Sequence, residues 1–251
     1  MPKALLESAL SKVLQVQRPR TSFPVDAARL TRHIPIGRTS TRGANLNELG
    51  PIDAVRRSGG ERFHDRNRDL GFDLLSFWQW GASDVIGNTA RGVLAEYLVA
   101  QAVGVADSNV REEWAAFDVQ TPDRTKIEVK SAAFIQGWRQ KTLSRISFGV
   151  RKTREWIKET NLLANEAKRQ ADVYVFALLA HTDQETLDPL DVAQWEFFVL
   201  PTVILDQRER SQHSITLTSL KKLTRSVNFG ELPSAIAEAA RAQQQTGQQS
   251  K

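Results

Sequence analysis

Residues 115–134 read AAFDVQTPDRTKIEVKSAAF, and the fold turns on how this stretch is understood. Pro122-Asp123-Arg124-Thr125 is turn chemistry, and the residues on either side suit β-strands. The spacing predicts a hairpin over 114–134. Side chains alternate faces along a strand, so Glu128 and Lys130 share one face while Ile127 and Val129 take the other. Asp118 belongs to the first strand. With the turn centred near 122–125, it falls opposite Val129 and Lys130. An acid, an acid and a lysine therefore meet at one end of a sheet. Either they form a structural ion cluster, with Glu128 and Lys130 paired to each other, or they form a metal site.

Two close carboxylates repel unless a cation neutralises them. The 251-residue chain has no cysteine, which excludes disulfides, iron–sulfur clusters and thiolate zinc sites. Its four histidines, at 33, 64, 181 and 213, form no HxxxH pair. The ligands left are oxygens: Asp118, Glu128 and the carbonyl of Val129. Oxygen ligands select Mg²⁺ or Mn²⁺. Glu96, on the preceding helix, is a further candidate ligand or the holder of a metal-bound water. Lys130 beside the ion would meet developing negative charge or orient a water. That set suits hydrolysis of a phosphodiester, since the metal polarises the phosphoryl group and acidifies a bound water.

Working outward, a short amphipathic helix is expected over 3–16. Residues 1–72 otherwise read as a basic, loosely ordered N-terminal arm. FDLLSFWQWGASDVI predicts a helix with Leu74, Leu75, Phe77 and Trp78 inward. NTARGVLAEYLVAQAVG predicts a second, capped by Asn88 or Thr89 and ended by Gly104, with Val93, Leu94, Tyr97 and Ala100 buried. Glu96 falls in the small stripe Thr89, Gly92, Glu96, which would let the helix approach a sheet. After the hairpin, RISFGV predicts a third strand and REWIKETNLLANEAKRQ a polar helix. DVYVFALLAH predicts a central strand, and WEFFVLP another. LTSLKKL reads as a short helix or turn. A terminal helix and a disordered Gln-rich tail occupy 233–251. The order implies an α/β mixed sheet flanked by helices, with the main domain over 73–232.

Asp118, then Glu128-Val129-Lys130, after a helix carrying Ala95-Glu96, resembles the PD-(D/E)xK nuclease superfamily over about residues 73–200. The resemblance implies a restriction-endonuclease-like αβββαβ core, Mg²⁺ dependence and cleavage of nucleic acid, usually DNA. The family's metal-binding aspartate maps to Asp118, its second acid to Glu128, its lysine to Lys130 and its helix glutamate to Glu96. Ala-Phe precede Asp118, so the proline of the motif is absent there. Pro122-Asp123 is a literal PD, but it sits in the turn.

Net charge is +5, which favours polyanion partners. After the motif, Arg139, Lys141, Arg145, Arg151, Lys152, Arg154 and Lys158 are interleaved with Trp138 and Trp156, a composition that meets phosphates and stacks on bases. No phosphate loop, hydrolase triad, zinc finger or helix-turn-helix appears. No apolar run reaches membrane-spanning length, and MPKALLESALSKVLQVQ is broken by charge, so the cytoplasm is the expected location. The expected function is a Mg²⁺-dependent endonuclease acting on DNA, in restriction, defence or repair. One site per chain suits a homodimer that cuts both strands. The alternatives are a non-catalytic nucleic-acid-binding module on the same scaffold and an interaction protein with structural ions.

Overall fold

The computed structural model describes residues 50–209 and 211–249, all within the unit Leu49–Lys251. The helix expected at 3–16 and most of the basic arm lie outside the described residues. Among these, eleven strands and five helices follow in order. β1 (Arg62–Asp65) and β2 (Arg68–Asp73) form a hairpin, followed by α1 (Leu74–Ala82) and α2 (Asn88–Ala102). β3 (Val119–Gln120), β4 (Lys126–Ala133), β5 (Ser147–Gly149), β6 (Thr153–Ile157), β7 (Leu162–Lys168) and β8 (Val173–Leu179) follow. Then come β9 (Trp195–Pro201), α3 (Thr202–Asp206), β10 (Ser214–Thr216), α4 (Leu217–Leu220), β11 (Ser226–Val227) and α5 (Leu232–Gln249).

A five-stranded mixed sheet, β11-β9-β8-β4-β3, organises the molecule. β4 and β8 are parallel, from Ile127↔Val173 to Ala133↔Leu179; the other neighbours are antiparallel. Every residue of β8 is buried, as the apolar run DVYVFALLAH predicts for a central strand. Its two faces serve two cores. Val173, Val175, Ala177 and Leu179 join Ala95, Leu98 and Val99 of α2 and Leu232, Ile236, Ala239 and Ala240 of α5. Tyr174, Phe176 and Leu178 join Phe148, Leu205, Ile215 and Leu220 on the opposite side. The α/β class, the mixed central sheet and its flanking helices follow the sequence reading.

Several elements depart from it. REWIKETNLLANEAKRQ is not a helix but the β6–β7 hairpin. Asn161 sits at φ 55° between the two strands, a left-handed conformation that no α-helix interior holds. Thr153, Trp156 and Ile157 also favour a strand. RISFGV does contain a strand, β5, but it pairs with β10 in a separate two-stranded sheet. The arm expected to be loosely ordered over 1–72 holds nearly all of the β1–β2 hairpin. The tail expected to be disordered continues α5 to Gln249. Gln is a good helix former, and Gln243 Oε1 accepts the Val203 N–H at 2.8 Å, which ties the distal part of α5 to α3.

Two helix faces were also misassigned. α1 has no buried residue: Leu75 and Phe77 are half exposed and Trp80 is 86% exposed. Among the described residues α1 meets the Gly59–Glu61 turn, with Leu75 N–H bonded to Gly59 O at 2.8 Å, too little surface to cover it. On α2 the buried stripe is Arg91, Ala95, Leu98 and Val99, whereas Val93 and Tyr97 face outward. Gly87 is the N-cap, and neither Asn88 nor Thr89 caps by side chain. Gly104 ends the helix as expected. At φ 73° it donates to Gln101 O while Val105 donates to Ala100 O, the paired bonds of a Schellman stop.

Candidate active site

The acids meet at the edge of the central sheet where β3 begins. β3 pairs with β4 as Val119↔Ile127 and Gln120↔Lys126. Continued by one residue, this register sets Asp118 opposite Glu128, one position from the expected Val129 and Lys130. The turn accounts for the difference: it spans Thr121–Thr125 and centres on Asp123, with Arg124 at φ 68°. Asp123 itself is held by Thr121 and Thr125 and takes no part in the cluster.

Asp118 N–H donates to Ile127 O at 3.0 Å, and Val129 N–H donates to Asp118 Oδ2 at 2.7 Å. A strand residue's N–H and C=O point to the same side. The Val129 carbonyl is therefore directed toward the same edge as the Asp118 carboxylate. Glu128 and Lys130 project from the face of β4 that carries Phe176 and Tyr174 on β8, and they form an ion pair. Glu96 enters from α2, on the other face. Arg111 holds it by two hydrogen bonds, one of them 3.2 Å from Nη2 to Oε1.

Asp118 senses all of these charges. Burial pushes its carboxyl up to about 7; the Glu128 charge adds to this, as does Glu96, while the Val129 N–H and Lys130 oppose it. Burial also raises the Tyr174 hydroxyl, with Glu128 beside it. The Glu96 pairing raises the Arg111 guanidinium. Glu128 and Glu96 thus lie close enough to disfavour the ionised Asp118, and Lys130 opposes them. Among the described residues, no group of three or more His, Cys, Asp or Glu stands close enough to hold a metal unaided. The donor set that remains is two carboxylates, Asp118 and Glu128, with the Val129 carbonyl on the same edge. It is all oxygen, and its excess negative charge fits a hard divalent cation.

The basic residues are distributed more widely. Arg139, Lys141, Arg145, Arg151, Lys152 and Arg154 are all exposed. Lys152 lies 3.7 Å from Asp206, Arg154 Nε donates to Ala164 O at 2.6 Å, and Lys158 pairs with Asp53 at 3.0 Å. Arg145 and Trp138 line a cavity beside β4; Arg154 and Trp156 belong to the β6–β7 hairpin. Trp138 is 56% exposed, whereas Trp156 packs edge-on against Trp114. A larger cavity, of about 460 Å³, lies at the other end of α2 and is lined by none of the clustered acids.

Sequence reasoning missed Arg111, because SNVREEW carries no periodic pattern. It also missed Arg91, although a signal existed: a charged residue in the same helical stripe as Ala95, Leu98 and Val99.

Among the described residues, no helix is long and apolar enough to cross a membrane. A family model described as bacteriophage T4 endonuclease IV matches residues 38–219, well over half of the chain. No curated protein and no solved structure matches it. The match covers four of the five strands of the central sheet (all but β11), α2 and all of the clustered acids, and it supports a nuclease acting on nucleic acid. The chain belongs to the bacteriophage T4 endonuclease IV family.

Proposed function

We propose that the protein is a metal-dependent endonuclease of the PD-(D/E)xK kind that hydrolyses phosphodiester bonds of nucleic acid, with DNA as its substrate. One observation carries the reading: Asp118, Glu128, Glu96 and Lys130 converge on one sheet edge, where burial first, and then the neighbouring acids, raise the Asp118 carboxyl. Family membership supports nuclease chemistry. On this reading the sheet is a variant of the restriction-endonuclease-like core, with the β6–β7 hairpin in place of the expected crossover helix.

Asp118, Glu128 and the Val129 carbonyl would hold a Mg²⁺ or Mn²⁺ ion, which when bound supplies Lewis acidity and a more acidic water. Lys130 exchanges its Glu128 partner for a phosphoryl oxygen and meets the charge that grows there in the transition state. The Arg111 pairing fixes the Glu96 carboxylate at the edge, where it orients the attacking water. The exposed basic residues grip phosphates, and Trp138 offers a face to a base. Restriction, defence or repair are the settings such a cytoplasmic enzyme would serve, and a homodimer would place two sites on a duplex.

The Glu128–Lys130 and Glu96–Arg111 pairs favour one second reading. Acids already neutralised by cations would suit a nucleic-acid-binding module without catalysis. The deciding experiment incubates wild type and Lys130→Ala with plasmid, linear duplex, single-stranded DNA and RNA, in Mg²⁺, Mn²⁺ or EDTA. Cleavage that requires both metal and Lys130 is expected. Salt-sensitive binding with no cleavage in any metal would move the protein to the second reading.

A further inference from the structure

A cavity of about 290 Å³ opens beside β4, at the N-terminal end of α2, with Asn88, Arg91, Ser131, Gln136, Trp138 and Arg145 among its lining. No aspartate or glutamate lines it. Arg91 is only 4% exposed, yet among the described residues it has no carboxylate partner. Its Nη1 donates to Ile86 O at 3.0 Å and to Gln136 Oε1 at 3.4 Å, and its Nη2 donates to Asn88 Oδ1 at 2.7 Å. All three acceptors are neutral. Its Nε–H has no acceptor, and the buried Ser131 Oγ has no partner either.

A buried guanidinium without a counter-charge is costly. Burial lowers its proton affinity, but an arginine stays charged. The surroundings add positive potential. Arg145 supplies a second guanidinium. At the N-terminus of α2 the Asp84 carboxylate accepts the Gly87 N–H at 3.0 Å, but it does not line the cavity. Two buried donors without acceptors and two arginines share one cavity that no acid lines.

The cavity adjoins the acid cluster in sequence on both sides. Ser131 follows Lys130 on β4. Arg91 precedes Glu96 by five residues on α2, about 7.5 Å along the helix axis. Successive phosphates of a stacked strand advance about 3.4 Å along its axis. The spacing matches about two nucleotides.

We propose that this cavity is a phosphate subsite. Arg91 Nε–H and the Ser131 hydroxyl donate to the non-bridging oxygens of a backbone phosphate about two nucleotides from the bond to be cut, and Arg145 closes over it from the rim. The subsite rests on the nuclease reading above for the identity of its ligand. Its role is to position the strand, leaving the chemistry to the acid cluster and Lys130.

The test uses the full chain without metal, with inorganic phosphate as the probe against chloride at equal ionic strength. Phosphate raises the thermal midpoint of wild type and of Lys130→Ala. It does not raise that of Arg91→Met or Ser131→Ala. In chloride, Ser131→Ala is at least as stable as wild type, because it removes a buried hydroxyl that has no partner. It therefore separates lost binding from lost folding even if Arg91→Met folds poorly. In Mg²⁺, Ser131→Ala raises KM for an oligonucleotide by about tenfold, with kcat changed by less than about twofold. Equal phosphate stabilisation of wild type and Ser131→Ala overturns the subsite and leaves the nuclease reading intact. Absence of cleavage by wild type, with phosphate stabilisation that still depends on Arg91 and Ser131, sinks the nuclease reading and leaves the anion site standing.

Discussion

Asp118→Asn should make the metal-free protein more stable at alkaline pH while removing its cleavage. In the folded wild type the carboxyl is pushed up to about 7, against an ordinary value of 3.8. Between those values the folded chain keeps a proton that the unfolded chain has released. Stability therefore falls as pH rises through the window, and the whole penalty is present above about pH 7. At about 1.4 kcal/mol per unit, the interval sets a ceiling of about 4 kcal/mol. Asp118 retains some access to water, and screening reduces the effect to about 2 kcal/mol. Asparagine keeps an oxygen for the Val129 N–H and removes the repulsion by Glu128 and Glu96. Urea unfolding in EDTA should place the variant about 2 kcal/mol above wild type at about pH 8, with the gap less than half as large at about pH 5. The m-values should agree. A variant less stable than wild type at the higher pH, or a gap that widens toward acid, would show that favourable contacts hold the carboxylate, and the argument from repulsion would fail.

Other perturbations probe the neighbouring parts. Lys130→Ala should lower kcat by about a hundredfold or more while leaving the dissociation constant for an oligonucleotide in EDTA within about threefold, as measured by single-turnover kinetics and fluorescence anisotropy. Arg111→Ala leaves Glu96 without its cation beside Asp118. Its loss of stability should be larger at about pH 8 than at about pH 5, and an equal loss at both would place its role elsewhere. Gly104→Ala has open space for its methyl group but a φ of 73°, so backbone strain alone should cost about 1 kcal/mol in urea unfolding. Phe197→Ala empties a fully buried position between β8, β11 and α5 and should cost about 3–5 kcal/mol by the same measurement.

The sequence carried the hairpin, the identity of β4 and the buried character of β8, because turn chemistry and long apolar runs leave few alternatives. It also assigned Glu128 to β4 and Glu96 to the preceding helix, because the apolar pattern around each leaves few alternatives. The register slipped by one because a five-residue turn with Arg124 in the left-handed region cannot be distinguished from a four-residue one by composition. The β6–β7 hairpin was hidden because neither strand alternates apolar and polar residues, and the deciding residue, Asn161, signals a turn only weakly. α1 shows a further limit. Its apolar residues mark a helix, but amphipathic spacing does not say whether another surface covers it. Arg111 was silent because its role arises from Glu96, a partner on another element.

The parallel pairing of β4 with β8 also bears on how the molecule assembles. The bond from Lys126 N–H to the Asp172 carboxylate spans 46 residues, so closing this pair costs more chain entropy than closing the local β3–β4 turn. Asp118 can thus find β4 early, whereas Glu128 and Lys130 gain their Tyr174 and Phe176 backing only after the intervening segment, with its own hairpin, has folded back. The acid-bearing edge would then mature late, after the scaffold that frames it. Pulse-labelled hydrogen exchange should protect the amides of α2 before those of β4. Simultaneous protection would mean that the long closure is itself the nucleus.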